Sequence, residues 1–232
     1  MEALTVADLA GVVHSAGKVF DGLSVSRLDT ENFLRSGRLD EVASRADLAL
    51  LEDLRDAAQF IIDHAGRTID STFVCAVNAT ITRSGALHPG RLRTQSQAIG
   101  VATPYGRHTP DALTEDGLQR LLDAGAARSA DVREDALDLF VDLAKAQPFE
   151  DGNKRTAVFV ANSLLIGSNA GVLLTIPVDD HDPSLAAMFH HRLARAYVYG
   201  EGDGVKELLR GRGFTKFRLQ SKKEMGTDLA PQ

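Results

Sequence analysis

The run from Asn153 to Ile166 constrains the fold more than any other part of the chain. It ends at Gly167, has the length of a helix, and contains the stretch AVFVANSLLI, apolar on nearly every side. A surface helix needs one apolar stripe, whereas a helix apolar all round must be enclosed by others. A bundle built around this segment is therefore expected. The enclosing helices show as stripes at three- and four-residue spacing. Leu50, Leu54, Ala57, Ala58 and Ile61 form one. Phe73, Val77 and Ile81, ended by Ser84-Gly85, form a second. Val132, Ala136, Leu139, Phe140 and Leu143 form a third. A last pair of helices is predicted over Pro183 to Tyr199 and Gly204 to Arg210.

The pattern changes between the second and third stripes. His88 to Thr103 carries short extended pieces with turn residues at both ends, read as a β-hairpin or flap. Val172 to Ile176 is another short extended piece. The fold class is thus all-α, a helical bundle with a small β-hairpin. Residues 1–44 are read as an N-terminal helical extension, 45–212 as the main domain, and 213–232 as a flexible tail.

The 232 residues can bury a core without a metal or disulfide staple. The net charge of -6 argues against broad attraction to nucleic acid or an anionic membrane. No stretch approaches the ~20 apolar residues of a membrane span. The start MEALTVADLA is acidic and lacks the basic opening of a signal peptide. Cys75, the only cysteine, leaves no internal disulfide and no cysteine-based zinc site. A cytoplasmic location is expected.

The chemistry gathers in Gln147-Pro-Phe-Glu-Asp-Gly-Asn-Lys-Arg-Thr-Ala157. Gly152 and Asn153 tolerate unusual backbone angles and can turn amide N–H groups inward as an anion nest. The helix beginning near Asn153 points its unpaired N–H groups at the same place. Lys154 and Arg155 add two cations, and Arg155 can grip phosphate oxygens in a fork. Asp151 supplies a hard oxygen ligand suited to Mg²⁺ bridging phosphates. Phe149, apolar among polar neighbours, is expected to anchor the loop. Together these residues suggest a nucleotide polyphosphate with magnesium. The plain alternative is a common turn followed by a solvated Lys-Arg pair.

This segment resembles the active-site loop of the Fic/Doc family, whose motif reads His-Pro-Phe, any residue, Asp or Glu, Gly-Asn-Gly-Arg, two residues, Arg. Pro148, Phe149, Asp151, Gly152, Asn153 and Arg155 match in register. Lys154 and the run Asn153-Lys-Arg-Thr-Ala157 look like the Doc branch, which moves a phosphoryl group, whereas Gly152 matches the AMP-transferring members. Pro89-Gly-Arg-Leu-Arg-Thr94 is similar to the segment leading into the family's flap. Ile176-Pro177 and the last helices resemble its ending, so the likeness spans residues 45–212. It implies a Fic/Doc-like helical bundle that binds ATP or another nucleoside triphosphate with Mg²⁺. It also implies a protein target docked on the flap around residues 90–103, and an antitoxin-like partner or a homodimer.

Two departures bear on mechanism. In the family the motif histidine takes the proton from the target hydroxyl, and Gln147 stands in its place. An amide is not basic, and loss of such a base costs ~10²–10⁴-fold in rate. Val158 replaces the motif's final arginine. Gln147 leaves three readings open: a binder without turnover, an inactivating substitution in an otherwise toxic protein, or a reaction needing no base there. By resemblance, Gln147 and Asp151 occupy the catalytic positions, Gly152, Asn153, Lys154 and Arg155 bind nucleotide, and Asp151 holds the metal. A non-catalytic protein-binding pseudoenzyme is the alternative. Restoring histidine at 147 is expected to move label from γ- rather than α-labelled ATP.

Glu31-Asn32 resembles the end of the family's inhibitory helix, which would require Glu31 to reach Arg155 or Lys154. The competing reading makes Asp29 to Asn32 a polar helix start capped by Thr30. His190 and His191 are adjacent and give no spaced metal pair. His88 and His108 flank the flap. Glu150 is read as solvent-facing and Cys75 as a small core residue.

Overall fold

The computed structural model describes residues 4–38, 44–85, 87–125, 130–179 and 181–217. After a 3₁₀ turn at Val6–Leu9 come helices α1 (Ala10–Asp21), α2 (Arg27–Ser36), α3 (Arg45–Asp63) and α4 (Ser71–Ala79). A hairpin of β1 (Val101–Thr103) and β2 (Gly106–His108) follows, then α5 (Glu115–Gly125), α6 (Val132–Ala146) and α7 (Asn153–Gly167). The chain closes with β3 (Val172–Leu174), α8 (Ser184–Tyr199), α9 (Asp203–Arg212) and β4 (Phe214–Lys216).

The apolar helix stands where its composition demands. α7 is buried along most of its length and packs against α6, α3, α4, α1 and β3. The striped faces of α3 and α6 turn inward, with Leu51, Leu54, Ala57, Ala58 and Ile61 fully buried on α3 and Ala136 and Phe140 on α6. Side-chain oxygens of Ser44, Asp70 and Asp131 accept amide N–H groups in the first turns of α3, α4 and α6, which satisfies donors those turns leave open. Among the described residues, no helix is long and apolar enough to cross a membrane.

α1 is part of this core. Val12, Val13 and Ala16 are buried, and the helix packs on α3 and α7. Gly17 permits the approach, since a Cβ there would lie 2.9 Å from Leu23 Cδ2 and 3.2 Å from Leu54 Cδ1.

Three readings of local structure are corrected. The second helix stops at Ala79, not at Ser84, because the buried carboxylate of Asp53 takes the amides of Thr82, Arg83 and Ser84 and holds them in a turn. Strand pairing begins only at Val101, with Val101 opposite His108. Residues 88–100 instead form a loop, because the Arg93 N–H donates to Pro148 O (2.9 Å) and Leu92 bridges Phe149. At the C-terminal end, β4 pairs antiparallel with β3, Leu174 facing Phe214. Residues 214–216 thus belong to a sheet, while 218–232 lie outside the described residues.

β3 has a second partner besides β4. On α7, Asn162 donates from Nδ2 to Leu174 O and accepts the Leu174 N–H at Oδ1, both at 2.8 Å.

Candidate functional site

The loop between α6 and α7 is held from inside by neutral groups. α6 ends when Gln147 enters the left-handed region at φ 48°, and Gly152 turns the chain into α7 at φ 73°. Gly152 lies so close to the end of α4 and the turn after it that a Cβ would meet Ile81 Cδ1 at 2.7 Å and Asn78 Nδ2 at 3.1 Å. Asn153 then spans the loop. Its Oδ1 accepts the Phe149 N–H (2.8 Å), and its Nδ2 donates to Phe149 O (2.9 Å) and Gln147 Oε1 (3.3 Å). Phe149 is buried, as the pattern predicts. Asn78, which sequence reasoning passed over, and Arg93, quoted there only within the segment leading into the flap, complete the support. Asn78 donates to Asp151 O and Thr156 Oγ1 and accepts the Gly90 N–H. Arg93, buried, donates to the carbonyls of Gln147, Pro110 and Asp111.

The charged side of the loop is arranged differently. Arg155 is only 2% exposed, and its guanidinium meets Asp21 Oδ2 (3.3 Å), Asp151 Oδ2 (3.3 Å) and Ser84 Oγ (2.8 Å). Burial pushes the Asp21 carboxyl above its usual range, against the pull of Arg155. Asp151 also accepts the Gly152 N–H at 2.6 Å. Lys154 turns toward α1, its ammonium 5.1 Å from the Phe20 ring centre, and burial depresses its pKa despite Asp21. Two cations and two carboxylates thus balance. Among the described residues, the amides of Asn153, Lys154 and Arg155 donate to no acceptor, as the first turn of a helix dictates.

Beside Lys154 a cavity of about 500 Å³ opens between the hairpin and α8, lined by Val101, Thr103, His190, Leu193 and Tyr197. Tyr197 lines the cavity with part of its side chain, while its hydroxyl is buried away from it beside the Gln147 side chain, without a completed hydrogen bond. Burial raises its pKa, as it lowers that of His190 with help from Lys154. The hairpin is clasped over the cavity. Tyr105 meets His191, Tyr199 and Arg195 of α8, and His108 donates to Lys145 O (2.7 Å) while stacking on Tyr197.

The structure brings Gln147, Asp151, Gly152, Asn153, Lys154 and Arg155 together. Gln147 is buried, its Nε2 donating to Ala144 O at 2.6 Å, so its amide is spent inside the loop. Glu31 is not brought to the site. It pairs with Arg35 on α2 (2.6 Å), and the carboxylate that reaches Arg155 from the N-terminal region is Asp21. α2 starts at Arg27 with Ser26 as its cap, so Thr30 lies inside the helix. Glu150 is not a solvated residue, because it holds both His88 and Gln97. Cys75 is half-buried against the core. No group of three or more potential metal ligands occurs among the described residues.

Comparisons with known proteins bear on the family and the fold. Residues 68–165, from the start of α4 almost to the end of α7, match the model of the Fic/DOC family. That segment is similar to the Fic/DOC family. Solved structures share the fold. A Fic-domain-containing signalling protein from Bacteroides thetaiotaomicron matches at 18% identity and a TM-score of 0.64, over 87% of this chain and 80% of that one. Fic-1 from C. elegans matches at 20% identity and a TM-score of 0.65, over 85% of this chain and 58% of that one. A Fic family protein from Desulfovibrio desulfuricans matches at 13% identity and a TM-score of 0.58, over 88% and 64%. No curated relative matches the chain in sequence. These likenesses cover 85–88% of the chain and so extend beyond the matched segment.

Proposed function

We propose that the Fic/DOC-like domain binds a nucleoside triphosphate with magnesium and descends from enzymes that transfer AMP or phosphate to protein hydroxyls. In this chain Gln147 impairs that transfer. The observation that carries the reading is the head of α7, where the amides of Asn153, Lys154 and Arg155 have no acceptor among the described residues, beside a cavity with Lys154 in its wall. The cavity adjoins the head of α7, where open amides and the helix dipole favour phosphate.

The residues fit magnesium of one kind only. Asp151 is a single, half-exposed carboxylate, enough for an ion that takes most of its ligands from phosphates and water. When bound, the ion would neutralise charge on the transferring phosphate. The chain's own residues do the rest. The amides of Asn153 to Arg155 orient the phosphates, Arg155 exchanges Asp21 for a phosphate oxygen, and the hairpin excludes water above Tyr197. Gln147 can accept no proton, and its amide already serves Ala144 and Asn153, which favours binding without turnover.

Calorimetric titration with Mg-ATP tests this directly. Lys154→Ala, which removes the cation from the cavity wall, should weaken binding several-fold. Arg155→Ala should weaken it at least ~10-fold. Binding absent from the parent chain, or unchanged in both variants, would remove the reading. Gln147→His assayed with α- and γ-labelled ATP then reports which bond is broken.

A further inference from the structure

We infer a second, separate anion site between α1, α2, α9 and the segment after β3, shaped for a small phosphate monoester. A cleft of about 310 Å³ lies there, with His14, Ser15, Arg27, Asp179, Arg212 and Thr215 in its walls. None of its lining residues belongs to the α6–α7 loop or to the cavity under the hairpin.

The wall is already built. Ser15 Oγ accepts the Ile176 N–H (3.0 Å) and donates to Val12 O, and Thr175 Oγ1 donates to Gly213 O (2.8 Å). These polar groups are spent on one another and fix the backbone around the cleft. His14 is 3% exposed and Ser15 2%, so this side of the cleft is core rather than loose surface.

The arginines are not spent. Among the described residues, neither the Arg27 nor the Arg212 guanidinium makes a hydrogen bond or ion pair. Arg27 leans over Gly11, where a Cβ would stand 3.4 Å from its Nη2. Asp179 is the one acid in the lining, and its Oδ1 is engaged by the His181 N–H at 2.8 Å. Two guanidinium groups against one carboxylate leave this cleft positive in a chain whose net charge is -6. The α6–α7 loop, with its cations already balanced, is not.

Geometry selects the ligand class. A guanidinium fork takes two oxygens along one edge of an acid. A carboxylate offers one such edge, whereas a tetrahedral phosphate offers several, so forks from two different elements can share it. The volume admits a small molecule, not a polymer.

Amide NMR of the intact chain titrated with inorganic phosphate at constant ionic strength is the test. Saturable shifts are expected at Gly11, Thr175 and Val178, with a dissociation constant on the order of 1 mM or tighter. They should vanish in Arg27→Ala/Arg212→Ala and persist, weakened, in the double lysine variant. Both arginines are exposed, so an unchanged melting temperature will show that the variants fold. Absent shifts, shifts that survive the double alanine change, or equal shifts with acetate would each overturn the assignment. Responses at Asn153 and Lys154 report the other site and are read separately.

Discussion

The two sides of the α6–α7 loop are held by different kinds of interaction. The inner side is tied by amides: Asn153 to Phe149 and Gln147, and Asn78 to Asp151 O and Thr156. The outer side is a cluster of ionisable groups, Asp21, Asp151, Lys154 and Arg155, with Ser84. Neutral amide bonds with no competitor in water fix a shape, and their loss leaves buried donors open. An ion cluster whose acids can be exchanged for phosphate holds a shape only until a better anion arrives. The inner side thus sets where a ligand goes, and the outer side sets what must leave first.

The sharpest way to break this contrast is Asn153→Ala. It removes three hydrogen bonds from a buried loop, and a loss of about 2–4 kcal/mol is expected in denaturant unfolding. A loss below ~0.5 kcal/mol, within the range of an ordinary surface change, would show that the amide latch does not fix the loop.

Next comes Asp53→Asn, expected to cost about 2–3 kcal/mol, because a buried carboxylate takes three amides and the Ser84 hydroxyl. Those bonds outweigh burial and hold its pKa below the ordinary carboxylate value. The sign follows. A depressed carboxylate contributes stability above the ordinary value of ~3.9 that is lost as pH falls through the folded one. Stability measured from pH 6 down to pH 2 should therefore decline less steeply in the variant.

A smaller effect, about 1 kcal/mol, is expected from Tyr105→Ala, which removes the ring contacts between hairpin and α8. Hydrogen exchange at Val101 to His108 should rise while the α6–α7 loop stays protected. Equal loosening of both would merge the two regions into one unit.

Asp21→Asn should change stability least. The raised pKa of Asp21 means that its charge is disfavoured where it sits. A raised carboxylate contributes stability below its ordinary value that is lost as pH rises through the folded one. At pH 7 the amide should therefore be neutral or slightly stabilising, and Mg-ATP should bind more tightly because Arg155 is released. Weaker binding in this variant would mean that Asp21 positions Arg155 rather than competing for it.

Much of this arrangement was legible in the sequence, for identifiable reasons. α7 announced itself because nothing but enclosure suits an apolar surface on all sides, and the loop did because glycine, asparagine and paired cations rarely coincide by packing alone. Asp21 and Asn78 were not legible, nor was the part Arg93 plays within its segment. Each acts on residues more than fifty positions away in sequence, and locally each resembles an ordinary helix-end acid, a polar break in a stripe or a turn cation. Asn78 did leave a trace, as the polar residue directly after Val77 in an otherwise apolar run. The hairpin was displaced because extended residues from His88 onward pair with the motif loop instead of with each other. That partner has no periodic signature.

Asn162 has a consequence for assembly. By giving Leu174 both a donor and an acceptor, it acts as a one-residue substitute for a neighbouring strand. The β3 margin of the two-stranded ribbon is thereby sealed against edge-to-edge addition, the usual route by which exposed strands recruit other chains. Any strand that a partner or a second copy adds to this ribbon must come to β4, on the side facing away from α7.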